Sequence, residues 1–358
     1  MSSAAPQTPR LLSRGQLAVL GGLALVPLLD YLLPSVQLSA QMRTVVVFAI
    51  LGLGLNIVVG WTGLLHLGIA AFMAIGAYAY GILTCEVYPF QVGFWPGILL
   101  AGAVGAIAGL LLGAPTLRLR GDYLAIVTLG FGEIVQDGIK NLELITKGTE
   151  GINPLPAPWV PGPVASAEPN AWQQLFEPIT SETPVRWFFI YLAILAVVVY
   201  LARNLEFSRL GRQLFAVRED ELAARCMAIE PDKAKLKAFA MGAALAAVAG
   251  ALFASGLSST GEPANYDFQV SILALCIVIV GGIGSITGVL VGAIVMVGLS
   301  NVVLPNLTQA LQRSGIGSTG SVFASPDNYK YLIFGLALVL MMRYRPDGIV
   351  HSRKAVRK

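Results

Sequence analysis

Apolar runs of about 20 residues recur along the whole 358-residue chain, and that is the length a helix needs to cross a hydrocarbon layer about 30 Å thick. No other feature constrains the fold as strongly, because only helices and closed barrels satisfy their backbone groups in lipid. A membrane barrel would show short segments of alternating polarity, and the sequence has none. With 56% hydrophobic residues, 12% charged residues and a mean hydropathy of +0.72, the expected fold class is an all-α polytopic membrane protein.

Periodicity and run length predict ten helices, at roughly 16–33, 43–60, 62–83, 95–113, 122–142, 187–203, 234–257, 268–282, 285–304 and 329–343. The second and third are nearly continuous, as are the eighth and ninth. Each pair breaks at glycines, Gly60 to Gly63 and Gly281 to Gly284. Such breaks are tight turns or re-entrant elements, tolerated at membrane depth only where protein covers them or a cavity adjoins them. The first run ends in "QLSA", which also suits a cleaved signal peptide, but it is long for one, and a retained span keeps the parity of the count.

Basic residues accumulate on the cytoplasmic side of membrane proteins. With both termini inside, the inner segments hold Arg10 and Arg14, Arg118 and Arg120, eight residues between Arg203 and Lys237, and six from Arg343 to Lys358, which is 18 of the chain's 24. Arg43, Lys140, Lys147, Arg186, Arg313 and Lys330 fall elsewhere. The expected organisation is therefore a cytoplasmic tail (1–15), a transmembrane domain (16–343) and a second cytoplasmic tail (344–358) in a cytoplasmic, or inner, membrane. Within the domain lie an outer loop (143–186) and a cytoplasmic segment (204–233). The outer loop holds eight prolines and five glutamates, so it is stiff and non-helical. It reads equally as a docking surface and as a passive spacer.

Several function classes are excluded. Cys85, Cys226 and Cys276 have no metal-like or disulfide spacing, and His66 and His351 cannot make a metal site. No phosphate-binding loop ends in Lys-Ser or Lys-Thr, so the chain carries no ATP site of its own and no expected cofactor. A net charge of +4, explained by topology, gives no case for nucleic acid. Without facing nucleophile and base or clustered metal ligands, an enzyme is not expected.

Small residues let helix backbones approach closely, which replaces the hydrophobic drive that lipid removes. Ala101, Gly105, Gly109 and Gly113 share one helix face, as do Gly242, Ala246 and Gly250, and Gly284, Gly288 and Gly292. These stripes predict tight packing, not a binding site.

One stretch breaks the apolar pattern. In "VREDELAARC" (217–226) five of ten residues are charged. The wider "GRQLFAVREDELAARCMAIEPDKAKLK" (211–237) predicts a helix over 213–227, with Leu214, Leu222, Cys226 and Ile229 on an apolar flank. Glu221 and Arg225 stand at the favoured spacing for an ion pair, and Pro231 lies just beyond. Composition alone reads it as a solvated connector or a membrane-surface helix. Its sequence, with "KLKAFAMGAALAAVAGALFA" after it, resembles the cytoplasmic coupling segment and following span of branched-chain amino acid ABC transporter permeases, of the second permease type. "PTLRLRGDYLAIVTLGFGEIV" (115–135), "GLGLNIVVGWTGLLHLGIAAFMAIGAYAY" (52–80), "VIVGGIGSITGVLVGAIV" (278–295) and "RPDGI" (345–349) resemble the same family in order and spacing, over about 43–350. The sequence departs from that pattern at His66 and Ile69, and at Lys147 and Ala228, where glycine is usual.

The resemblance implies a permease that pairs with a related second permease as a heterodimer, with two cytoplasmic ATPase subunits that bind the ATP and an extracytoplasmic binding protein that delivers the substrate. It implies that the charged segment is the ATPase contact. Leu214, Leu222 and Cys226 would fill a groove. Gly211, Arg212, Arg218, Glu219, Asp220, Glu221 and Arg225 would complete the contact, the charged ones setting its register. Related permeases carry urea or short amides, which is the alternative substrate class.

Glu133 stands about 16 Å into its helix from Asp122, near mid-membrane. An ionisable group there is a functional candidate, with structural glue as the other reading. Thr128, Asn56 and His66 are further pathway candidates. An ion-coupled secondary transporter also uses such groups and broken helices; the coupling-like segment argues against it.

Overall fold

A computed structural model describes residues 13–27, 38–116, 122–155, 184–313, 329–345 and 348–350. Every regular element among them is helical. α1 (Arg14–Ala24) opens on a capping box in which the Ser13 and Gln16 side chains accept from each other's backbone N–H. α2 (Leu38–Leu55) continues through a π turn (Asn56–Gly60). α3 (Ile69–Thr84), α4 (Phe94–Thr116), α5 (Asp122–Asn141), the short α6 (Glu143–Thr146) and α7 (Pro184–Phe207) follow. Next come α8 (Arg209–Glu219), α9 (Glu221–Cys226) and α10 (Pro231–Leu257). A 3-10 turn (Pro263–Tyr266) leads into α11 (Phe268–Gly281). α12 (Ile286–Gly298) runs through a second π turn (Leu299–Val303) into α13 (Leu304–Arg313), and α14 (Lys330–Tyr344) is the last.

Among the described residues six helices are long and apolar enough to cross a membrane: Leu38–Gly60, Phe94–Pro115, Trp187–Phe207, Pro231–Leu257, Pro263–Gly281 and Ile286–Thr308. Gly15–Ala24 and Ile69–Thr84 are apolar but shorter. α5 has the length but carries Glu133, Asp137 and Lys140. Residues 1–12 and 351–358 of the expected tails, the Arg118–Arg120 turn and 156–183 of the outer loop lie outside the described residues.

The outer loop, expected to be non-helical, begins with the short helix α6, and several helix ends shift by a few residues; two further differences bear on the site. The third helix begins at Ile69, not near 62, because 63–68 is non-helical. Gly63 takes a positive φ of 72°, and the Leu67 N–H donates to the Thr128 hydroxyl of α5 at 3.1 Å, not to a helical carbonyl. The charged segment is two helices, not one over 213–227. Asp220 between them is extended, and its carboxylate caps α9 by accepting from the Leu222 and Ala223 N–H groups.

The core sits around α10 and α2, with 67% and 83% of their apolar windows buried, against 33% for α4 and α7. α10 packs on α2, α3 and α4. α2 and α10 meet at Gly54 and Gly242, where a methyl on either would lie within 2.9 Å of the other's carbonyl oxygen. Gly105, Gly109 and Gly113 of α4 lie against Ala247, Ala243 and Leu236 of α10. Gly288 and Gly292 of α12 press on the backbone of α11 at Gly281 and Ile277.

A methyl added at Gly109 would come within 2.6 Å of Ala243 Cβ and 2.9 Å of the Phe239 carbonyl, so relief requires backbone movement. Gly109→Ala is expected to destabilise by about 1–3 kcal/mol, read as a lower melting temperature in detergent. Gly130→Ala on α5, with nothing within 4 Å of the added methyl, serves as the control and should not lower it.

Candidate functional site: a junction beneath two helix breaks

The two breaks meet in space. Asn56 in the π turn of α2 is buried, and its Oδ1 accepts from the Gly284 N–H at 2.8 Å. A methyl on Gly60 would stand 2.8 Å from that same nitrogen. The turn between α11 and α12 is held open by Gly282 and Gly284, with φ of 126° and 86°, a region that costs a residue with a side chain energy. The chain near its end closes the far side, where the Ile349 and Val350 N–H groups donate to the carbonyls of Val280 and Gly281.

The first break is fastened from α5 and α11. Thr128 is buried; its hydroxyl donates to the Ala125 carbonyl and accepts from Leu67. The Ala70 N–H, in the first turn of α3, donates to Ser271 Oγ at 3.1 Å. His66 is buried between Phe72 and Phe239, with ring centroids at 5.7 and 5.2 Å. Of the four pathway candidates, Asn56, Thr128 and His66 thus lie in the packing of the breaks. Glu133 is exposed on the surface of this chain, at the rim of a small recess that Ala70, Gln136, Tyr266, Asp267 and Ser271 also line. Gln136 reaches across to the Pro263 carbonyl at 3.1 Å. Asp267 caps α11 by accepting from the Gln269 and Val270 N–H groups. Asp267 was legible in the sequence as an acidic residue just before an apolar run. Gln136 and Ser271 gave no local signal, since their partners are over 100 residues away.

The charged segment lies under this junction. Ser208 caps α8, its hydroxyl accepting from the Gly211 N–H. Gly211 is buried against the carbonyls of Leu205 and Glu206. Leu214, expected to fill a partner's groove, is 0% exposed. With Val217 it packs inside this chain, because α8 turns its apolar flank inward. Phe215 lies 5.8 Å from the Trp61 ring. Arg218 is exposed, but its guanidinium reaches back to donate to the Gly60 carbonyl. The Glu221 carboxylate joins Arg225 at 3.0 Å and the buried Lys235 at 2.7 Å. Arg212, Glu219, Asp220, Leu222, Arg225, Cys226 and Met227 are exposed as Arg218 is, with Leu222 73% and Met227 78% exposed. Among the described residues no group of three His, Cys, Asp or Glu side chains could hold a metal ion.

Residues 37–342 match the family of branched-chain amino acid transport system permease components. The chain belongs to this family. It is one of membrane transport permeases, not of enzymes. The chain is 40% identical over 311 residues to the high-affinity branched-chain amino acid transport system permease protein LivM of Salmonella typhimurium, and equally to LivM of Escherichia coli; each match covers 85% of this chain and 68% of the relative. The high-affinity permease protein LivH of Salmonella typhimurium is 24% identical over 316 residues, 85% of this chain and 91% of LivH. No solved structure matches.

Lys147 and Ala228, where the resemblance led glycine to be expected, are left-handed in this permease, with φ of 61° and 59°. Ala228→Gly, at the end of the charged segment, should therefore stabilise the protein on the order of 1 kcal/mol. Denaturation of purified Ala228→Gly against the parent measures this, and an unchanged or lower midpoint contradicts it.

Proposed function

We propose that this permease is one of two different membrane subunits of an ATP-driven importer of branched-chain amino acids. The observation that carries the reading is the 40% identity to LivM over 311 residues. A second subunit of the LivH kind completes the pathway. Two ATPase subunits bind ATP below it, and an extracytoplasmic binding protein presents the substrate. The chain crosses the cytoplasmic membrane ten times with both termini inside, a reading supported by the distribution of its basic residues.

The ATPase contact is the outward surface of α8 and α9. Leu222 and Met227 are large, apolar and exposed on an otherwise charged element, a combination suited to the centre of an interface with a polar rim. Glu133 faces the pathway between the two permeases. A carboxyl at that depth is costly against lipid, and a wet cleft between subunits removes the cost.

The decisive experiment is reconstitution with the second permease, the ATPases and the binding protein. ATP-dependent leucine uptake into vesicles is expected; uptake driven by an ion gradient without ATP would overturn the reading. Leu222→Asp should leave the melting temperature of the isolated permease unchanged, since the side chain is exposed, and should weaken ATPase co-purification about tenfold or more. Glu133→Gln should assemble normally and lose most uptake; transport at the parent rate would remove Glu133 from the pathway. Single cysteines at Ala5, Ala165 and Ala355 test the orientation in intact cells, where only Ala165→Cys should react with an impermeant reagent.

A further inference from the structure

Sequence reasoning assigned Arg218 to a partner subunit; the residue is exposed, yet its guanidinium makes its hydrogen bond within this chain. Its side chain lies over two glycines with positive φ. A methyl on Gly63 would stand 3.3 Å from Arg218 Cγ, and one on Gly284 would stand 3.3 Å from Arg218 Nη1. The guanidinium donates to the carbonyl of Gly60. That carbonyl ends the π turn of α2, where the last carbonyls of a helix have no partner of their own and the helix dipole favours a cation. The notch is thus made of three glycines from two distant parts of the sequence, and the cation that enters it comes from α8.

The notch is also continuous with the breaks. Asn56 joins the Gly60 side to the Gly284 side through its bond to the Gly284 N–H. From Gly63 the chain runs four residues to Leu67, held by Thr128, and then to Ala70, held by Ser271. Leu67, Ala70 and Ser271 all line the recess that has Glu133 at its rim. Above α8 the contact is rigid, since Leu214 and Val217 are buried and Phe215 packs on Trp61.

We propose that Arg218 is a positioning residue that links α8 to both helix breaks at once, so that displacement of α8 moves the start of α3 and the start of α12 together. The link runs through the contacts of the guanidinium within this chain. It carries the ATPase's movement inward to the recess, and in this it rests on the proposed contact of α8 and α9 with an ATPase subunit. The fork of a guanidinium suits the task, because one nitrogen can hold the carbonyl while the plane spans the gap between the two glycines. A lysine supplies only a point charge.

The test uses the reconstituted complex with Arg218→Ala, Arg218→Lys and Asn56→Ala. Co-purification of the ATPases with the parent is measured first, and its failure would count against the proposed function itself. Given that association, Arg218→Ala should retain the ATPases at the parent level while substrate-stimulated hydrolysis over the basal rate falls about tenfold. Arg218→Lys should fall between the two. Asn56→Ala, buried and out of reach of any cytoplasmic subunit, should also lower stimulation. The double variant should be no worse than the weaker single one, because both changes cut one linkage. If Arg218→Ala does not accumulate in the membrane, Arg218→Lys decides the matter by the same readouts. Parent-level stimulation in Arg218→Lys and Arg218→Ala would overturn the proposal. So would loss of ATPase association that parallels Leu222→Asp, or additive losses in the double variant.

Discussion

A peptide group buried away from water needs a hydrogen-bond partner, and among the described residues this chain interrupts its helices at two places that meet. The rest of the architecture around α8 answers that constraint. The interruptions are brought together so that each supplies part of the other's wall, and the freed N–H and C=O groups are taken up by a few side chains. Asn56 takes the Gly284 N–H, Thr128 takes Leu67, Ser271 takes Ala70, and Arg218 takes the Gly60 carbonyl. Each bond crosses between elements, so the polar groups that satisfy the backbone also fix how α2, α5, α8, α11 and α12 sit against one another.

Around that polar knot the packing is almost featureless chemically. α10 meets α2, α3 and α4 through glycine and alanine, with carbonyls and methyls in close contact. Such surfaces carry few directional bonds and hold the helices by close backbone contact. The permease therefore combines stiff rods with one bonded hub. The salt-bridged group of Arg225, Glu221 and Lys235 holds α9 to α10 and gives the underside of the hub a fixed outline.

Much of this was legible in the sequence, and the reasons for the rest are physical. Run length and glycine position marked the helices and both breaks, because lipid demands long apolar segments and glycine alone adopts the required turns cheaply. The spacing of Glu221 and Arg225 gave their ion pair correctly. The local pattern could not reveal which side of α8 faces inward: Leu214 looks the same whether it fills a partner's groove or its own core, and nothing local shows that an exposed Arg218 bonds to the Gly60 carbonyl of its own chain. Nor could it show Asp220 ending one helix to cap the next, since a strong helix-forming context surrounds it. Asn56 and Thr128 read as pathway groups because polar residues in apolar runs suggest function, whereas the breaks nearby use them as backbone partners. Residues that act across 61 to 228 positions of sequence, as these do, leave no periodic trace.

The close approach of Gly60 and Gly284 has an evolutionary consequence. A side chain at Gly60 would collide with Asn56 and the Gly284 backbone, and one at Gly284 would crowd the Gly60 carbonyl and Arg218 at a positive φ, so neither glycine can readily change alone. A change at either glycine calls for an adjustment in the other half of the gene. The junction is thus a barrier to gradual divergence, and recombination that joins the front half of one such permease to the back half of another would be filtered by whether these four residues still fit.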